Sequence, residues 1–281
     1  MRVIAAALML LLTMAVPSLA QKAGVGAWEN STYTMLNWIE RAPELGWYYN
    51  WRTDQMYEQS TVRRTVEFVP MVHGRKDVEK PFRSKLPMRA LLGFNEPDGK
   101  SGSHQANMSV EEAVRLWPKL ERHGLRLGSP ATTMGQTLGK NSWQRRFMDQ
   151  VEARGLRVDF MAVHYYSKDG SVVAFRNWLH AVHAEYKRPI WVTEFAHVDW
   201  TRPGRATYQK NAQFLEEAIA MMESLPFVER HAWFAANPYP WGETTPRINL
   251  VSDDLKPTPV GQAFSRTLAR IGDSRVAEVS N

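Results

Sequence analysis

The 281-residue sequence contains no cysteine. This absence excludes a disulfide framework, and it also excludes a lipid anchor attached to a cysteine. A secreted chain of this composition must therefore be held together by its hydrophobic core alone.

Motifs that hold catalytic metals are also missing. No H-E-x-x-H motif occurs, and the first predicted strand (GVGAW, residues 24–28) has no H-x-H pair of the kind found in metal-dependent barrel hydrolases. His180 and His183 have helical i, i+3 spacing but no further ligands nearby, which indicates a surface pair. We therefore expect no metal and no cofactor.

The sequence has little concentrated charge. Its formal net charge is +6, with lysine and arginine scattered along the chain. This pattern indicates a solvated basic surface and not the concentrated stripe that binds nucleic acid. No predicted apolar helix face is left without a packing role, so we expect a monomer with no nucleic-acid partner and no membrane partner.

Residues 1–20 form an apolar run with a positive charge at Arg2 and the small-residue ending SLA. These features predict a secretory signal peptide that is cleaved after Ala20. A membrane anchor is the alternative, but it needs roughly 18–20 continuous apolar residues, and Thr13 interrupts this run. We expect a single catalytic domain at residues 21–281, secreted to the periplasm or the extracellular space.

Short apolar runs alternate with amphipathic segments along the rest of the chain. The eight predicted strands are residues 24–28, 46–51, 67–72, 90–96, 126–130, 160–166, 190–195 and 231–237. The predicted helices are residues 32–41, 109–123, 143–154, 172–186, 206–223 and 259–271. Eight enclosed strands with mostly helical crossovers in about 260 residues predict an α/β fold, a single-domain (β/α)8 TIM barrel. An open doubly wound sheet is disfavoured because GVGAWEN lacks the third glycine of a phosphate-binding turn.

Two of the predicted strands end on a carboxylate. Glu96 closes the fourth strand and Glu194 closes the seventh. Functional groups of this barrel lie at the carboxyl ends of its strands, so the two glutamates are expected to face each other across the mouth. Either one alone is compatible with a structural salt bridge, whereas a pair is what glycosidic bond cleavage requires.

Several motifs occur in barrel order and resemble a known enzyme family. GFNEP, VHYY and WVTEF, on the fourth, sixth and seventh strands, resemble the clan A retaining glycoside hydrolases. More narrowly, LLGFNEPD, FMAVHYY, IWVTEFA, AWFAANP and NLVSDDLKPTPVGQAF resemble glycoside hydrolase family 128, which comprises endo-acting β-1,3-glucanases. The resemblance covers essentially all of the mature chain.

The resemblance implies roles for particular residues. Glu96 matches the general acid/base and Glu194 the nucleophile, while Asn95 matches the asparagine that binds the sugar 2-hydroxyl. Tyr166 and His164 point the same way on one strand, and we assign Tyr166 to the nucleophile and His164 to the acid/base side. The alternative for His164 is a core histidine whose hydrogen bonds go to the backbone.

The two carboxyl groups must also differ in their pKa values for the mechanism to run near neutrality. We expect burial and the charge of Glu194 to keep Glu96 protonated. Hydrogen bonds from Tyr166 and a neighbour are expected to keep Glu194 ionised. Activity is then expected to follow a bell-shaped pH curve.

Eleven tryptophans are many for this length, and tryptophan stacks well on the apolar faces of sugars. The second predicted strand alternates Trp47, Tyr49 and Trp51, more aromatic side chains than a barrel interior is expected to bury. Candidate contacts to a sugar chain are Trp51, His73, Trp200, Trp233, Tyr239 and Trp241, with Trp233 placed near the floor of the site by the resemblance. The tryptophans on helices and Trp191 are expected to pack in the core.

These observations favour a secreted retaining endo-β-1,3-glucanase of the laminarinase type. Three alternatives remain at this stage. A non-hydrolytic β-1,3-glucan-binding barrel would usually have lost one glutamate, and a clan A hydrolase of mannan, xylan or mixed-linkage glucan would differ in its loops. An inverting enzyme would hold its carboxyl groups about 6.5–9.5 Å apart, where a retaining enzyme holds them about 5–5.5 Å apart.

Overall fold

A computed structural model describes residues 22–42, 44–56, 61–100, 102 and 104–279. The predicted signal peptide at residues 1–20 lies outside this part of the chain. Within the described residues, every helix is too short or too polar to span a lipid bilayer.

The described residues form eight strands and six α-helices. The strands are β1 (Ala23–Gly26), β2 (Trp47–Tyr49), β3 (Glu67–Phe68), β4 (Ala90–Leu91), β5 (Arg126–Leu127), β6 (Met161–Ser167), β7 (Ile190–His197) and β8 (Val228–Phe234). The helices are α1 (Met35–Arg41), α2 (Val110–Glu121), α3 (Trp143–Ala153), α4 (Val172–Tyr186), α5 (Tyr208–Glu223) and α6 (Pro259–Val279). Short 3-10 helices follow β3 at Arg75–Asp77 and β5 at Met134–Gln136.

The eight strands close into a ring. Six parallel strands run in the order β3-β2-β1-β8-β7-β6, and β4 pairs with β5. Parallel bridges from Met71 to Leu92 and from Gly128 to Phe160 join the two groups at both edges. The fold is therefore the predicted (β/α)8 barrel.

The predicted strands all exist, but several are shorter than expected. The fourth was expected over residues 90–96, whereas β4 has regular pairing only at Ala90–Leu91 and continues as isolated bridges, such as that between Asn95 and Ala131. The described crossovers after β2 and β3 contain no α-helix. Among the described residues, loops and one short 3-10 helix therefore form these two crossovers.

A side-chain cap marks the start of α2. Ser109 precedes α2, and its side chain accepts a 3.1 Å hydrogen bond from the backbone N–H of Glu112, which satisfies a donor that the helix itself leaves unpaired. Trp117 is fully buried on the inner face of α2, and its indole N–H donates to the Arg157 carbonyl. The helical tryptophan thus packs in the core, as predicted for this class.

Large aromatic side chains fill the barrel interior. Trp47 and Tyr49 of β2 are fully buried there, and Trp191 of β7 stacks on Phe160 with ring centroids 4.1 Å apart. A methyl group on Gly24 of β1 would lie 2.4 Å from the Trp47 ring, so the glycine makes room for that tryptophan. Trp47 and Tyr49 therefore fill the interior, whereas Trp51, two residues beyond the end of β2, lies at the mouth of the barrel.

An ion pair closes the opposite end of the barrel. The Arg230 guanidinium lies 4.4 Å from the ring centroid of Trp191 and donates a 2.7 Å hydrogen bond to Glu67. Both residues belong to the first half of their strands, β8 and β3. The barrel is thus sealed at its amino-terminal end and opens at the carboxyl ends of its strands.

Gly128 provides a test of how tightly this interior is packed. An alanine methyl group there would lie 2.4 Å from the buried Phe160 ring. Gly128→Ala should therefore lower the free energy of unfolding by about 1–3 kcal/mol, measured by urea denaturation. Gly135→Ala is the matched control, because its methyl group would meet no atom within 4 Å. Equal stability of the two variants would contradict the packing described here.

Candidate active site

The carboxyl ends of the strands surround a cleft of about 820 Å³. The predicted site residues that line it are Trp51, His73, Asn95, Glu96, Tyr166, Glu194, Trp200, Tyr239 and Trp241. His164 lies below its surface and is fully buried. The structure therefore brings together most of the residues that were expected from the sequence.

Glu96 and Glu194 meet at the centre of this cleft. An oxygen of each carboxylate and a ring nitrogen of His164 all lie within 4.8 Å of one another. Glu194 is buried within β7, whereas Glu96 is partly exposed beyond the end of β4. The two carboxylates are thus adjacent in space, as predicted from their positions at two strand ends.

Glu194 is surrounded by hydrogen-bond donors. The Tyr166 hydroxyl makes a short hydrogen bond to Oε2, and the Trp51 indole N–H donates to Oε1 over 2.9 Å. The Tyr49 hydroxyl lies 3.4 Å from Oε1, although it donates more closely to the Thr193 carbonyl. The predicted contact between Tyr166 and Glu194 is confirmed. Trp51 also proves to be a direct hydrogen-bond donor and not only an aromatic surface.

Glu96 has a different set of neighbours. The Gln105 amide donates a 2.7 Å hydrogen bond to Oε2, and His164 Nδ1 lies 3.0 Å from Oε1. The backbone of Glu96 is in the left-handed region, with φ of 40°, a conformation that costs a residue other than glycine about 1–3 kcal/mol. Pro97 disfavours right-handed helical geometry at this position. The strain is concentrated at the residue that presents the carboxylate.

The His104 carbonyl links the loop after β4 to Asn95 and His73 by hydrogen bonds. The His104 carbonyl accepts hydrogen bonds from Asn95 Nδ2 over 3.0 Å and from His73 Nε2 over 3.3 Å. Asn95 Oδ1 is buried and has no hydrogen-bond partner within the described part of the chain. Asn95 therefore offers a buried acceptor at the cleft.

The pKa values of the two carboxyl groups shift in opposite directions. Burial raises the pKa of Glu194, and the charge of Glu96 raises it further, more than His164 and the donors Tyr166 and Trp51 lower it. Burial also raises the pKa of Glu96, but hydrogen bonds from His164 and Gln105 and the positive charge of His164 lower it below its usual range. The expected order, with Glu96 as the raised group, is therefore wrong for the unliganded protein. His164 was expected on the side of Glu96, but nothing in the sequence indicated that the Gln105 amide would also donate to Glu96.

His164 lies between the two carboxylates. Its Nδ1 is 3.0 Å from Glu96 Oε1 and 3.4 Å from Glu194 Oε2. Burial lowers the pKa of the His164 ring, but the negative charges of Glu194 and Glu96 outweigh burial and raise it above its usual range. The position of His164 beside Glu96 is confirmed, and the alternative of a core histidine satisfied by the backbone is wrong.

Aromatic side chains form one wall of the cleft. Tyr239 stacks against Trp241 with centroids 6.1 Å apart, and Trp200 lies 5.2 Å from Trp241. Trp28 and Trp51 extend this wall with centroids 5.8 Å apart. Polar side chains from the loops after β4 and β5, such as Gln105 and Thr133, also line the cleft, so it offers both stacking surfaces and hydrogen-bonding groups.

Trp233 does not belong to the cleft. It is fully buried on the outer face of β8, where its indole N–H donates a 2.7 Å hydrogen bond to the Ile248 carbonyl. Side chains alternate along a strand, so the next residue, Phe234, is the one that lines the cleft. The prediction that Trp233 contacts a sugar chain is therefore wrong.

Several cleft residues were not predicted from the sequence. Those that line the cleft are Trp28, His104, Gln105, Thr133, Met134, Lys168, Asp199 and Phe234. Trp28 was recognisable as the last residue of the first predicted strand. Most of the others lie in irregular loops, where neither periodicity nor strand position indicates which side chains point inward.

Glu96, His164 and Glu194 are also the group of side chains in the described residues that has the geometry to hold a metal ion. All three already make hydrogen bonds that fit acid/base chemistry without a metal. The expectation of no metal and no cofactor remains a prediction.

A family model described as "Glycosyl hydrolase catalytic core" matches residues 25–264. The structure of a family 128 subgroup I endo-β-1,3-glucanase from Amycolatopsis mediterranei, in complex with laminaripentaose, matches with a TM-score of 0.73 and 36% identity. The match covers 87% of this chain and 98% of that one.

Two other relatives are more distant. A family 128 subgroup II endo-β-1,3-glucanase from Sorangium cellulosum matches with a TM-score of 0.67 and 26% identity, over 87% of this chain and 97% of that one. Alkali-sensitive linkage protein 1 of Schizosaccharomyces pombe is 26% identical over 195 residues, which is 68% of this chain. The match spans only 34% of the length of the yeast protein.

The position of His164 between two negative charges is open to a direct test. Glu194→Gln removes one of these charges, so the pKa of the His164 ring should fall relative to the unmodified protein. NMR titration of the histidine rings measures this shift. Glu217→Gln on the outer helix α5 is the control and should leave the His164 titration unchanged. An unchanged His164 pKa in Glu194→Gln would contradict the described electrostatics.

Proposed function

This chain belongs to glycoside hydrolase family 128, and we propose that it is a retaining endo-β-1,3-glucanase acting on laminarin-type glucan. The observation that carries the proposal is the approach of Glu96 and Glu194, with one oxygen of each carboxylate within 4.8 Å of the other. Retaining glycosidases hold their carboxyl groups about 5–5.5 Å apart, whereas inverting enzymes leave about 6.5–9.5 Å for a water molecule. The geometry favours double displacement.

In the first step, Glu194 acts as the nucleophile. One carboxylate oxygen attacks the anomeric carbon and forms a glycosyl ester, while the bond from that carbon to the leaving oxygen breaks. Glu96 transfers a proton to the leaving oxygen, so the departing chain leaves as a neutral alcohol. Hydrogen bonds from Tyr166 and Trp51 orient the Glu194 carboxylate for the attack.

The proton for this step is held between His164 and Glu96. In the unliganded protein we assign it to the imidazole, at Nδ1, because the two carboxylates raise the pKa of His164 and the hydrogen bonds to Glu96 lower the pKa of Glu96. This nitrogen is 3.0 Å from Glu96 Oε1, so the proton reaches the carboxylate by one transfer within an existing hydrogen bond. Glu96 then passes it to the glycosidic oxygen.

In the second step, the glycosyl ester is hydrolysed. Glu96, now a carboxylate, takes a proton from water as the water oxygen attacks the anomeric carbon, and the ester bond to Glu194 breaks. Two displacements at one carbon retain its configuration. Asn95 Oδ1, which lacks a partner in the described residues, is placed to accept a hydrogen bond from the sugar 2-hydroxyl.

The cleft supports a glucan chain as the partner. Flat apolar surfaces that can stack on the faces of sugar rings come from Trp51, Trp200, Tyr239 and Trp241. His73 adds a polar group to the lining of the cleft. An endo-acting relative, the Amycolatopsis mediterranei enzyme, was crystallised with laminaripentaose. We further propose that the protein is a monomer secreted to the periplasm or beyond the cell, with residues 1–20 as its signal peptide and residues 21–281 as one domain.

Hydrolysis of laminarin tests the proposed activity. The unmodified protein should release laminari-oligosaccharides of several lengths, with little action on xylan, mannan or cellulose. Glu96→Gln should reduce turnover by about 10²–10⁴-fold, because it removes general acid/base catalysis. Glu194→Gln should reduce it at least as much, because the glycosyl ester can no longer form.

Glu217→Gln serves as the control for these substitutions and should keep full activity. Full activity in Glu194→Gln would overturn the assignment of the nucleophile. Cleavage of xylan or mannan in preference to laminarin would identify a hydrolase of another β-glycan. Binding of laminari-oligosaccharides without cleavage would identify a glucan-binding barrel, and release of one short product from chain ends would identify exo action.

The pH dependence follows from the shifts described above. On the acidic side, activity should fall as the pH drops through the pKa of Glu194, because the nucleophile must be ionised. Burial raises this pKa above its usual value, so the fall should begin at a higher pH than for an ordinary glutamate. On the alkaline side, activity should fall as the pair of Glu96 and His164 loses its shared proton. Initial rates on laminarin across the pH range measure both limbs. A flat profile would contradict the proposed proton transfers.

A further inference from the structure

The side chain of Gln105 has no assigned role, although it contacts a catalytic carboxylate. Its Nε2 lies 2.7 Å from Glu96 Oε2. We propose that Gln105 is the positioning residue of the acid/base glutamate: its amide holds Oε2 and leaves Oε1 to exchange the proton with His164. The inference rests on the proposed function, because it takes Glu96 as the residue that transfers protons.

The Gln105 side chain packs closely against the backbone of Gly99. A methyl group at Gly99 would lie 2.1–2.3 Å from the terminal atoms of the Gln105 side chain. The backbone of Gly99 is outside the left-handed region, so alanine would otherwise be tolerated there. The glycine at this position is therefore explained by the close packing of the Gln105 amide and not by backbone conformation.

The backbone on both sides of Gln105 is also fastened. The preceding carbonyl, of His104, accepts hydrogen bonds from Asn95 and His73. The N–H of Ala106 donates a 2.8 Å hydrogen bond to the Asn95 carbonyl. Hydrogen bonds to Asn95 on both sides of Gln105 therefore hold the backbone of Gln105 in place, so that its amide stays within reach of Glu96.

The chemistry of an amide donor suits both steps of the reaction. Gln105 Nε2 donates to Glu96 and carries no charge, so it stabilises the carboxylate that acts as base without competing for the proton. Because Oε2 is held, the carboxylate cannot rotate freely, and Oε1 stays in contact with His164. The ionisable groups that surround Glu96 are Tyr49, His73, Asp98, His164, Tyr166, Glu194 and Tyr239.

The first experiment measures Glu96 itself. NMR titration of ¹³C-labelled glutamate carboxyl groups, assigned with Glu96→Gln, should show that Gln105→Leu raises the pKa of Glu96. Gln213→Leu is the matched control, because Gln213 makes the same amide-to-carboxylate hydrogen bond to Glu217 on an outer helix. This readout does not depend on hydrolysis, so it separates failure of this inference from failure of the proposed function.

The second experiment measures turnover. Gln105→Leu should lower kcat on laminarin by about 10-fold to 100-fold, the effect expected from losing a hydrogen bond to a charged group, and should move the alkaline limb to higher pH. The kcat of Gln105→Glu, divided by that of the unmodified enzyme at the same pH, should rise as the pH falls, because a protonated carboxyl group can donate a hydrogen bond to Glu96. Gln105→Leu should show no such recovery.

The third experiment changes Gly99, against which the Gln105 amide packs. Gly99→Ala alone should reproduce the loss seen in Gln105→Leu, because the methyl group displaces the amide. The same substitution in a Gln105→Ala background should cause no further loss, since the clashing side chain is gone. This pair keeps the inference testable if Gln105→Leu folds poorly.

Two outcomes would overturn the proposal. One is an unchanged pKa of Glu96 in Gln105→Leu. The other is a rise in KM with kcat and pH profile unchanged, which would make Gln105 a substrate contact only.

Discussion

The structure depends on holding two carboxylates and an imidazole together in a buried site. Two unit charges within 4.8 Å of each other repel by at least about 3.5 kcal/mol at an effective dielectric constant of about 20. His164 offsets this repulsion because its Nδ1 contacts both Glu96 and Glu194. Neutral donors from Tyr166 and Trp51 further stabilise charge on Glu194. The neighbouring strands β6 and β7 supply the imidazole and one of the carboxylates, which fixes their separation.

A rigid barrel is what makes this arrangement possible. The left-handed backbone of Glu96 is a local strain that persists only where surrounding contacts determine the conformation. Those contacts come from neighbouring segments: the N–H of Glu96 donates 2.7 Å to the Ala131 carbonyl, and the following loop is tied to Asn95 through His104. Below them, the packed aromatic interior around Trp47 prevents the strands from shifting.

The sequence predicted the barrel well, because its strong signals are local. Apolar runs located all eight strands, and the amphipathic segments between them located the six helices. Strand lengths were less predictable, because regular pairing depends on neighbours that are distant in the chain. At the site, motif spacing identified Glu96 and Glu194, and the period of two along β6 placed Tyr166 and His164 on the same face. The resemblance then assigned Tyr166 to Glu194 and His164 to Glu96, and both contacts are present.

The sequence by itself therefore determined the fold, the family and the pair of carboxylates, since residue type and strand position suffice for these. Only the tertiary structure decided the environment of each group. It added Gln105 to the hydrogen bonds of Glu96, and together with His164 this donor reverses the expected order of the two pKa values. It also turned Trp233 away from the cleft in favour of Phe234. The physical reason is that a pKa and a side-chain contact depend on atoms within a few ångströms in space, and loops bring those atoms together from parts of the chain with no shared pattern.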